Sequence, residues 1–163
     1  MVNRLRMEQQ LLLHEGMILH EYKDTEGYVT LGVGYNVSVR GLSDWERVTG
    51  HPFTGKCTPE DALAVLDADI TRVESAVRVH FPEYDTLSEV RQRVALDMAF
   101  NMGLAALGFH RVIAAVKVKD WSTAARELYK SRWARQVGDG EGGRFDRCDR
   151  LSKMLLTGQD YTA

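Results

Sequence analysis

The hydrophobic pattern of the chain changes its period once, between residues 14 and 35, and this change restricts the fold more than any other feature. Residues 3–14 place apolar side chains at the spacing of a helix. Residues 28–33 instead alternate with the two-residue period of a β-strand, after a polar turn that contains Gly27. Gly32 and Gly34 weaken the strand and suggest a close approach of another group to the backbone. We therefore expect one small β-hairpin or meander, because no other segment has a convincing strand pattern.

The remainder of the chain has helical signals. Residues 58–61 are Thr-Pro-Glu-Asp, which supplies an N-cap, a proline at the first helical position and two acids in the first turn. Apolar residues keep helical spacing up to Phe81-Pro82, which predicts a helix of about 23 residues, roughly 34 Å long. A flexible loop is expected at Gly138–Gly143. Further helices are expected at residues 42–50, 87–102, 109–118 and 120–136, and in a last segment that ends at Leu156 and is closed by Gly158.

Length and composition indicate one globular domain or one domain divided into two lobes, because 163 residues with 44% apolar and 27% charged side chains can bury a sizeable core. The net charge of −2 is unevenly distributed. Residues 58–89 contain eight acidic and two basic side chains, whereas residues 111–153 contain eleven basic and six acidic ones. We therefore expect the C-terminal half to face an anionic polymer, and both nucleic acid and bacterial cell wall fit that description.

We expect no targeting signal in the N-terminal segment. Its apolar run, Leu11 to Leu13, is shorter than the roughly 7–15 residues of a secretory core and the about 20 residues of a membrane span. We therefore expect the protein to be made and held in the cytoplasm. Cys57 and Cys148 would then be reduced thiols, because structural disulfides are rare in that compartment.

Three motifs that would indicate other chemistry lack the context that they need. Gly138, Gly140 and Gly143 have the spacing G-x-G-x-x-G, but no strand precedes them and the acids between them would repel a pyrophosphate. His14 and His20 are separated by about 600° of helix rotation, so they would not bind one metal from the same face. The sequence has no G-x-S-x-G nucleophile motif, and neither cysteine has a suggestive neighbour.

Two carboxylates and a hydroxyl lie around the change of pattern. Glu15 ends the first helix beside Gly16, where partial burial would favour the protonated acid. Asp24 lies in a polar turn that favours an ionised carboxylate, and Thr30 on the following strand could hold a water. Two carboxyl groups in contrasting surroundings are what acid-catalysed glycoside cleavage needs. Solvated turn carboxylates are common, so that alternative stays open from the residues alone.

The segment from Glu15 to Gly34 closely resembles the active-site signature of the phage-type lysozymes, or endolysins. That signature is Glu, eight residues, Asp, five residues, Thr, and Glu15, Asp24 and Thr30 fit both spacings. The resemblance spans nearly the whole chain, since it continues in Phe100-Asn101-Met102-Gly103, Gly108-Phe109, Ser131-Arg132-Trp133 and Arg147.

The resemblance implies an α+β, mainly helical fold of the two-lobed lysozyme type, in a single domain of residues 1–163. A small N-terminal β lobe would span about residues 15–60, and a linking helix about residues 59–81. The larger C-terminal helical lobe would span about residues 82–163, with residues 1–14 packed on it. The active-site cleft would lie between the two lobes.

The activity that the resemblance implies is hydrolysis of the β-1,4 bond between N-acetylmuramic acid and N-acetylglucosamine in bacterial peptidoglycan. Glu15 would be the general acid, and Asp24 with Thr30 would position the attacking water. This chemistry requires no metal and no organic cofactor. The expected substrate-binding residues are Asn101, Tyr28, Tyr35, Leu31, Arg147 and Arg132.

Some of these residues have alternative roles. Asn101 could instead cap a helix or lie in the core. Arg147 could pair with Glu15, meet a substrate carboxylate or be solvated. Arg132 could face Glu26 across the mouth of the cleft.

One position departs from the family pattern. Where phage-type lysozymes commonly have histidine after the second glycine of the strand, this chain has Tyr35. A phenol does not titrate near neutral pH. We therefore expect any hydrogen bond that it makes, for example with Asp69 of the long helix, to depend little on pH between 5 and 8.

The resulting prediction is an endolysin that acts on peptidoglycan as a monomer. It would be stored in the host cytoplasm and released to the cell wall through a hole made by a separate, holin-type membrane protein. Two rivals remain: a lytic transglycosylase, which needs a single acid and no attacking water, and a non-catalytic peptidoglycan-binding domain of a virion. A nucleic-acid partner is not expected, because the positive half has no recognisable binding motif.

Overall fold

The computed structural model describes residues 1–137 and 146–162, and the chain forms two compact units. The first, here called the sheet unit, is Leu5–Arg72; the second, the helical unit, combines Met1–Arg4 with the described part of Val73–Ala163. The predicted α+β, mainly helical fold is confirmed, because one small antiparallel sheet accompanies helices elsewhere in the described chain. Residues 5–14, which we expected on the helical lobe, belong to the sheet unit. The glycine-rich segment Gly138–Gly143 lies outside the described residues.

The sheet unit combines a three-stranded sheet with short helices. Its elements are α1 (Arg4–Glu15), β1 (Ile18–Lys23), β2 (Val29–Gly32), β3 (Tyr35–Asn36), α2 (Val37–Arg40) and α3 (Leu42–Thr49). The strands are ordered β1-β2-β3, and each neighbouring pair is antiparallel. Tyr22 of β1 is directly opposite Thr30 of β2, and Leu31 of β2 is opposite Tyr35 of β3.

A small aromatic core joins this sheet to the long helix α4 (Pro59–His80). Trp45 is fully buried and makes edge-on ring contacts with Tyr35 and Phe53, at centroid distances of 5.4 and 5.9 Å. Leu31 of β2 and Val65 of α4 belong to the same buried cluster. The sheet is therefore supported from one face by apolar side chains.

The long helix α4 begins where the sequence predicts it. Thr58 Oγ1 accepts a hydrogen bond from the N–H of Asp61 at 3.1 Å, and Asp61 Oδ2 accepts one from the N–H of Thr58 at 3.0 Å. This reciprocal cap, with Pro59 in the first helical position, defines the start. The helix runs to His80 and is shared by both units, since the division falls after Arg72.

The described part of the helical unit contains five further helices and two 3-10 segments. These are the 3-10 segments Pro82–Thr86 and Gly103–Gly108, and the helices α5 (Glu89–Met102), α6 (His110–Lys117), α7 (Trp121–Tyr129), α8 (Arg132–Val137) and α9 (Arg147–Thr157). Gly158 closes α9 with a φ of 71°, as predicted. Among the described residues no single helix is long and apolar enough to cross a membrane. The segments Glu89–Gly108 and His110–Lys117 have that length and apolarity only when they are taken together, and the pair is bent by 94°.

The sequence predicted one helix over residues 120–136, whereas the structure has two. α7 ends at Tyr129. α8 then starts at Arg132, and the Ser131 hydroxyl accepts a hydrogen bond from the N–H of Ala134 at 3.1 Å. A serine that caps a new helix can interrupt an apolar pattern without disturbing its period, which is why the break was missed.

Candidate active site

Glu15 is the last residue of α1, at the point where the chain turns into the sheet. Gly16 follows with a φ of 72°, and its N–H donates to the Leu12 carbonyl at 2.9 Å, which closes the helix. This left-handed turn leads into β1, so Glu15 lies at the junction of helix and sheet. Its side chain is partly buried.

The carboxyl group of Glu15 lies against the backbone of Gly34, between β2 and β3. A Cβ atom at position 34 would lie 3.4 Å from Glu15 Oε2 and 3.6 Å from its Cδ. Gly34 also has a φ of 66°, in the left-handed region. The close backbone approach predicted at this glycine is therefore confirmed, and the group that approaches is the proposed acid.

Asp24 organises the turn between β1 and β2. Its Oδ1 accepts hydrogen bonds from the N–H groups of Glu26 and Tyr28, both at 2.9 Å. Its own N–H donates to the Tyr28 carbonyl, and its carbonyl accepts from Gly27, again at 2.9 Å. These two hydrogen bonds fix the orientation of the carboxylate. In the described part of the chain Oδ2 has no hydrogen bond, so it can accept one from a water or a ligand.

Thr30 lies on β2 and is only 4% exposed. Its hydroxyl donates to the Tyr28 carbonyl at 3.3 Å. The one proton of this hydroxyl is therefore used, and its oxygen can only accept from a water. This is the direction in which a water that donates to both Asp24 and Thr30 would be held.

Tyr22 is a site residue that the sequence analysis missed. It is directly opposite Thr30 in the β1–β2 pair, so the two side chains lie next to each other on one face of the sheet. Burial, together with the negative charges of Glu15 and then Asp24, raises the pKa of the Tyr22 phenol. The phenol therefore lies within electrostatic range of both carboxylates. Its position two residues before Asp24, one strand period, was the available signal.

Three expected substrate contacts lie in the sheet unit, and two of them are in its core. Tyr28 is 42% exposed beside the Asp24 turn, and its contact with substrate stays a prediction. Leu31 and Tyr35 are 0% and 2% exposed, within the cluster around Trp45. The expectation that these two side chains line a cleft is at odds with this placement, because a sugar could reach them only by displacing core packing.

The hydrogen bond expected at Tyr35 has a different partner. The Tyr35 hydroxyl donates to the Gly41 carbonyl at 2.9 Å, while Asp69 binds the guanidinium of Arg40 and lies 3.5 Å from that of Arg72. The expected hydrogen bond between Tyr35 and Asp69 is therefore not formed, because a guanidinium is a stronger partner for a carboxylate than a neutral phenol. The bond to a carbonyl contains no group that titrates between pH 5 and 8. Its insensitivity to pH stays a prediction.

The remaining expected contacts belong to the helical unit. Asn101 is exposed, and its Oδ1 accepts from the indole N–H of Trp133 at 2.9 Å, which leaves its amide N–H groups able to donate. Arg132 is exposed. Arg147 is 8% exposed and donates to Asp97 Oδ1 at 2.8 Å, so it is not a solvated arginine. Substrate contact by all three, and the expected pairings of Arg147 with Glu15 and of Arg132 with Glu26, stay predictions.

The side chains gathered in the sheet unit are suited to proton transfer. Glu15 can give a proton, and the free oxygen of Asp24 can take one from a water. Within residues 1–137 and 146–162, no three histidine, cysteine, aspartate or glutamate side chains are grouped so that they could hold a metal ion. The arrangement matches the two-carboxylate chemistry of glycoside cleavage.

Comparison with known proteins gives the family. The sequence model described as Phage lysozyme matches residues 13–147, a range that includes Glu15, Asp24 and Thr30. The chain is 26% identical to part of the pre-baseplate central spike protein Gp5 of Enterobacteria phage T4. The alignment covers 94% of this chain and 28% of the spike protein. It is 25% identical, over 93% of its length, to 94% of probable T4-type lysozyme 1 of Dictyostelium discoideum. Probable T4-type lysozyme 2 of the same organism is also 25% identical, over 80% of this chain and 86% of that one.

These matches support a lysozyme-like function, that of a glycoside hydrolase. The chain spans just over a quarter of the spike protein, so the activity and partners of that larger assembly are not carried over. The family model, in contrast, covers most of this chain and all three residues of the proposed acid–base set. The chain belongs to the phage lysozyme family.

Proposed function

We propose that the protein is a muramidase that hydrolyses the β-1,4 bond between N-acetylmuramic acid and N-acetylglucosamine in bacterial peptidoglycan. The observation that carries this proposal is the contrast between two neighbouring carboxyl groups. Both side chains are partly buried, but the carboxyl group of Glu15 lies against Gly34, whereas that of Asp24 is held by two N–H donors with its other oxygen free. The electrostatic effect of both on Tyr22 supports their proximity.

The proposed reaction uses one carboxyl group as the acid and the other to direct water. Glu15 gives its proton to the glycosidic oxygen as the bond from that oxygen to the anomeric carbon breaks. A water held by Asp24 and Thr30 attacks the anomeric carbon, and its proton passes to Asp24 Oδ2. The products are two sugar ends, one of them reducing. Return of the proton from Asp24 to Glu15 through solvent restores the enzyme.

We propose the biological role of an endolysin. Such an enzyme acts on host peptidoglycan as a monomer, waits in the host cytoplasm, and reaches the wall through a hole made by a separate, holin-type membrane protein. The family to which the chain belongs supports this role.

A second candidate role is favoured by one comparison. Nearly the whole chain aligns with a segment of a phage central spike protein, so a related sequence occurs within a larger phage protein. In that role the domain would open the wall during entry, or bind it without cleavage. Mass spectrometry of purified virions separates the roles, since a virion component is found in the particle and an endolysin is not.

The catalytic assignment is tested by the release of reducing ends from purified peptidoglycan. Glu15→Gln removes the transferable proton with little change in shape, and we expect its rate to fall about 100-fold to 10,000-fold. Glu21→Gln is the matched control, because Glu21 is an exposed glutamate on the same sheet that packs beside Gly55. Wild-type activity in Glu15→Gln would contradict the assignment, as would an equal loss in the control.

A further inference from the structure

The hydroxyl group of Tyr22 is a hydrogen-bond donor without an acceptor among the described residues of the sheet unit. In the part of the chain that the structure describes, it makes no hydrogen bond. The phenol is partly buried, beside Thr30 across the strand pair and one strand period from Asp24. A tyrosine placed for packing alone needs no hydroxyl, and a partly buried hydroxyl usually has a partner.

The two residues that flank Tyr22, Asp24 and Thr30, both offer hydrogen-bond acceptors. Asp24 Oδ1 is used by two backbone N–H groups, which leaves Oδ2 as an acceptor. The Thr30 hydroxyl donates its one proton to the Tyr28 carbonyl, so its oxygen can also accept a hydrogen bond. Because burial and the two nearby carboxylates raise the pKa of Tyr22, its phenol keeps its proton at neutral pH.

One donor and two acceptors match the hydrogen-bonding capacity of a single water molecule. A water has two protons and two lone pairs. Its protons can go to Asp24 Oδ2 and Thr30 Oγ1, and one lone pair can accept from Tyr22. One lone pair is left, and it is the one that attacks the sugar.

We propose that Tyr22 is a positioning residue for the hydrolysis, whose hydroxyl donates a hydrogen bond to the attacking water held by Asp24 and Thr30. This inference rests on the proposed function. In the reaction, the remaining lone pair of the water forms the new bond to the anomeric carbon, a water proton passes to Asp24, and the glycosidic oxygen leaves with the proton of Glu15. Tyr22 keeps its own proton and orients the water throughout.

The test is the substitution Tyr22→Phe, which removes only the hydroxyl group. Its kcat on soluble glycan strands should fall about tenfold, the worth of one neutral hydrogen bond to the water, while KM stays within twofold of the wild-type value. Its unfolding midpoint in urea should not change, because the hydroxyl makes no hydrogen bond within the described chain. Tyr129→Phe, at an exposed tyrosine of the helical unit, is the matched control and should leave kcat unchanged.

A double substitution tests whether the two hydroxyl groups hold the same water. In Tyr22→Phe combined with Thr30→Ala, the loss of kcat should be smaller than the product of the two single losses, because the second change acts on a water that is already displaced. Multiplicative losses would overturn the shared water.

The other outcomes are also decisive. A kcat for Tyr22→Phe within twofold of the wild-type value, or a raised KM with unchanged kcat, overturns the inference. If Glu15→Gln is inactive in the same assay, the proposed function still stands. If the wild type releases no reducing ends, the proposed function and this inference fail together.

Discussion

The contact between Gly34 and Glu15 leads to a prediction that links the backbone directly to catalysis. We expect Gly34→Asn to lower kcat by about 100-fold, because asparagine would displace the proposed acid. The Cβ atom at this position would already lie 3.4 Å from Glu15 Oε2, at the limit of ordinary contact. Its side-chain amide extends further, so the carboxyl group has to move, and a shift of about 1 Å in a catalytic group can cost about 100-fold.

The matched control for this substitution is Gly50→Asn. Gly50 has a φ of 79°, close to the 66° of Gly34, but a Cβ there would have no atom within 4 Å. Asparagine tolerates the left-handed region better than most side chains, so each variant should lose only about 1 kcal/mol of unfolding free energy. The control should therefore keep its activity at a similar cost in stability.

The assay pairs initial rates on soluble glycan strands with urea unfolding at the same pH. If the two variants lose the same unfolding free energy but only Gly34→Asn is inactive, displacement of Glu15 is the cause. A kcat for Gly34→Asn within threefold of that for Gly50→Asn would refute the reasoning.

Two further predictions concern the stability of the helical unit, and both are measured by urea unfolding. Burial disfavours the charge on Asp160, but hydrogen bonds from Thr162 and Arg93 lower its pKa from 3.8 to about 2, so its contribution exists above pH 3.8 and is lost as the pH falls through 2. Asp160→Asn should therefore cost about 2 kcal/mol at pH 7 and about a third of that near pH 2.5; an equal cost at both would count against the ionic origin. Tyr84 is fully buried and donates to the buried Glu74 at 3.0 Å, so Tyr84→Phe should cost about 1–2 kcal/mol, and an unchanged midpoint would show that the bond is dispensable.

Features with local determinants were predictable from the sequence. The start of α4 depends on Thr58, Pro59 and Asp61, which are neighbours in the chain and make their hydrogen bonds with each other. The close approach at Gly34 was also predictable, because a glycine within a strand pattern commonly marks a position where another group packs against the backbone. What the sequence could not tell is that Glu15 is the group that approaches.

Features that depend on tertiary packing were not predictable in this way. Tyr35 was expected at the cleft, but it is buried against the ring of Trp45, which lies in the later helix α3. The hydrogen bond of Arg147 to Asp97 joins residues 50 positions apart, so it was not predictable, whereas the expected substrate contact of Arg147 stays a prediction. Tyr22 was missed because its relation to Thr30 depends on strand register, and the pairing is irregular between Ile18 and Tyr22.

The measurement that tests the central claim most directly is a digestion of purified peptidoglycan in water enriched in oxygen-18, followed by immediate borohydride reduction and mass spectrometry of the muropeptides. Hydrolysis by a water held at Asp24 and Thr30 predicts reduced N-acetylmuramic acid ends that carry one heavy oxygen, and their absence after digestion with Glu15→Gln. Anhydro-muramic acid ends without heavy oxygen would contradict the account, because the substrate's own 6-hydroxyl would then be the nucleophile and no water would need to be positioned.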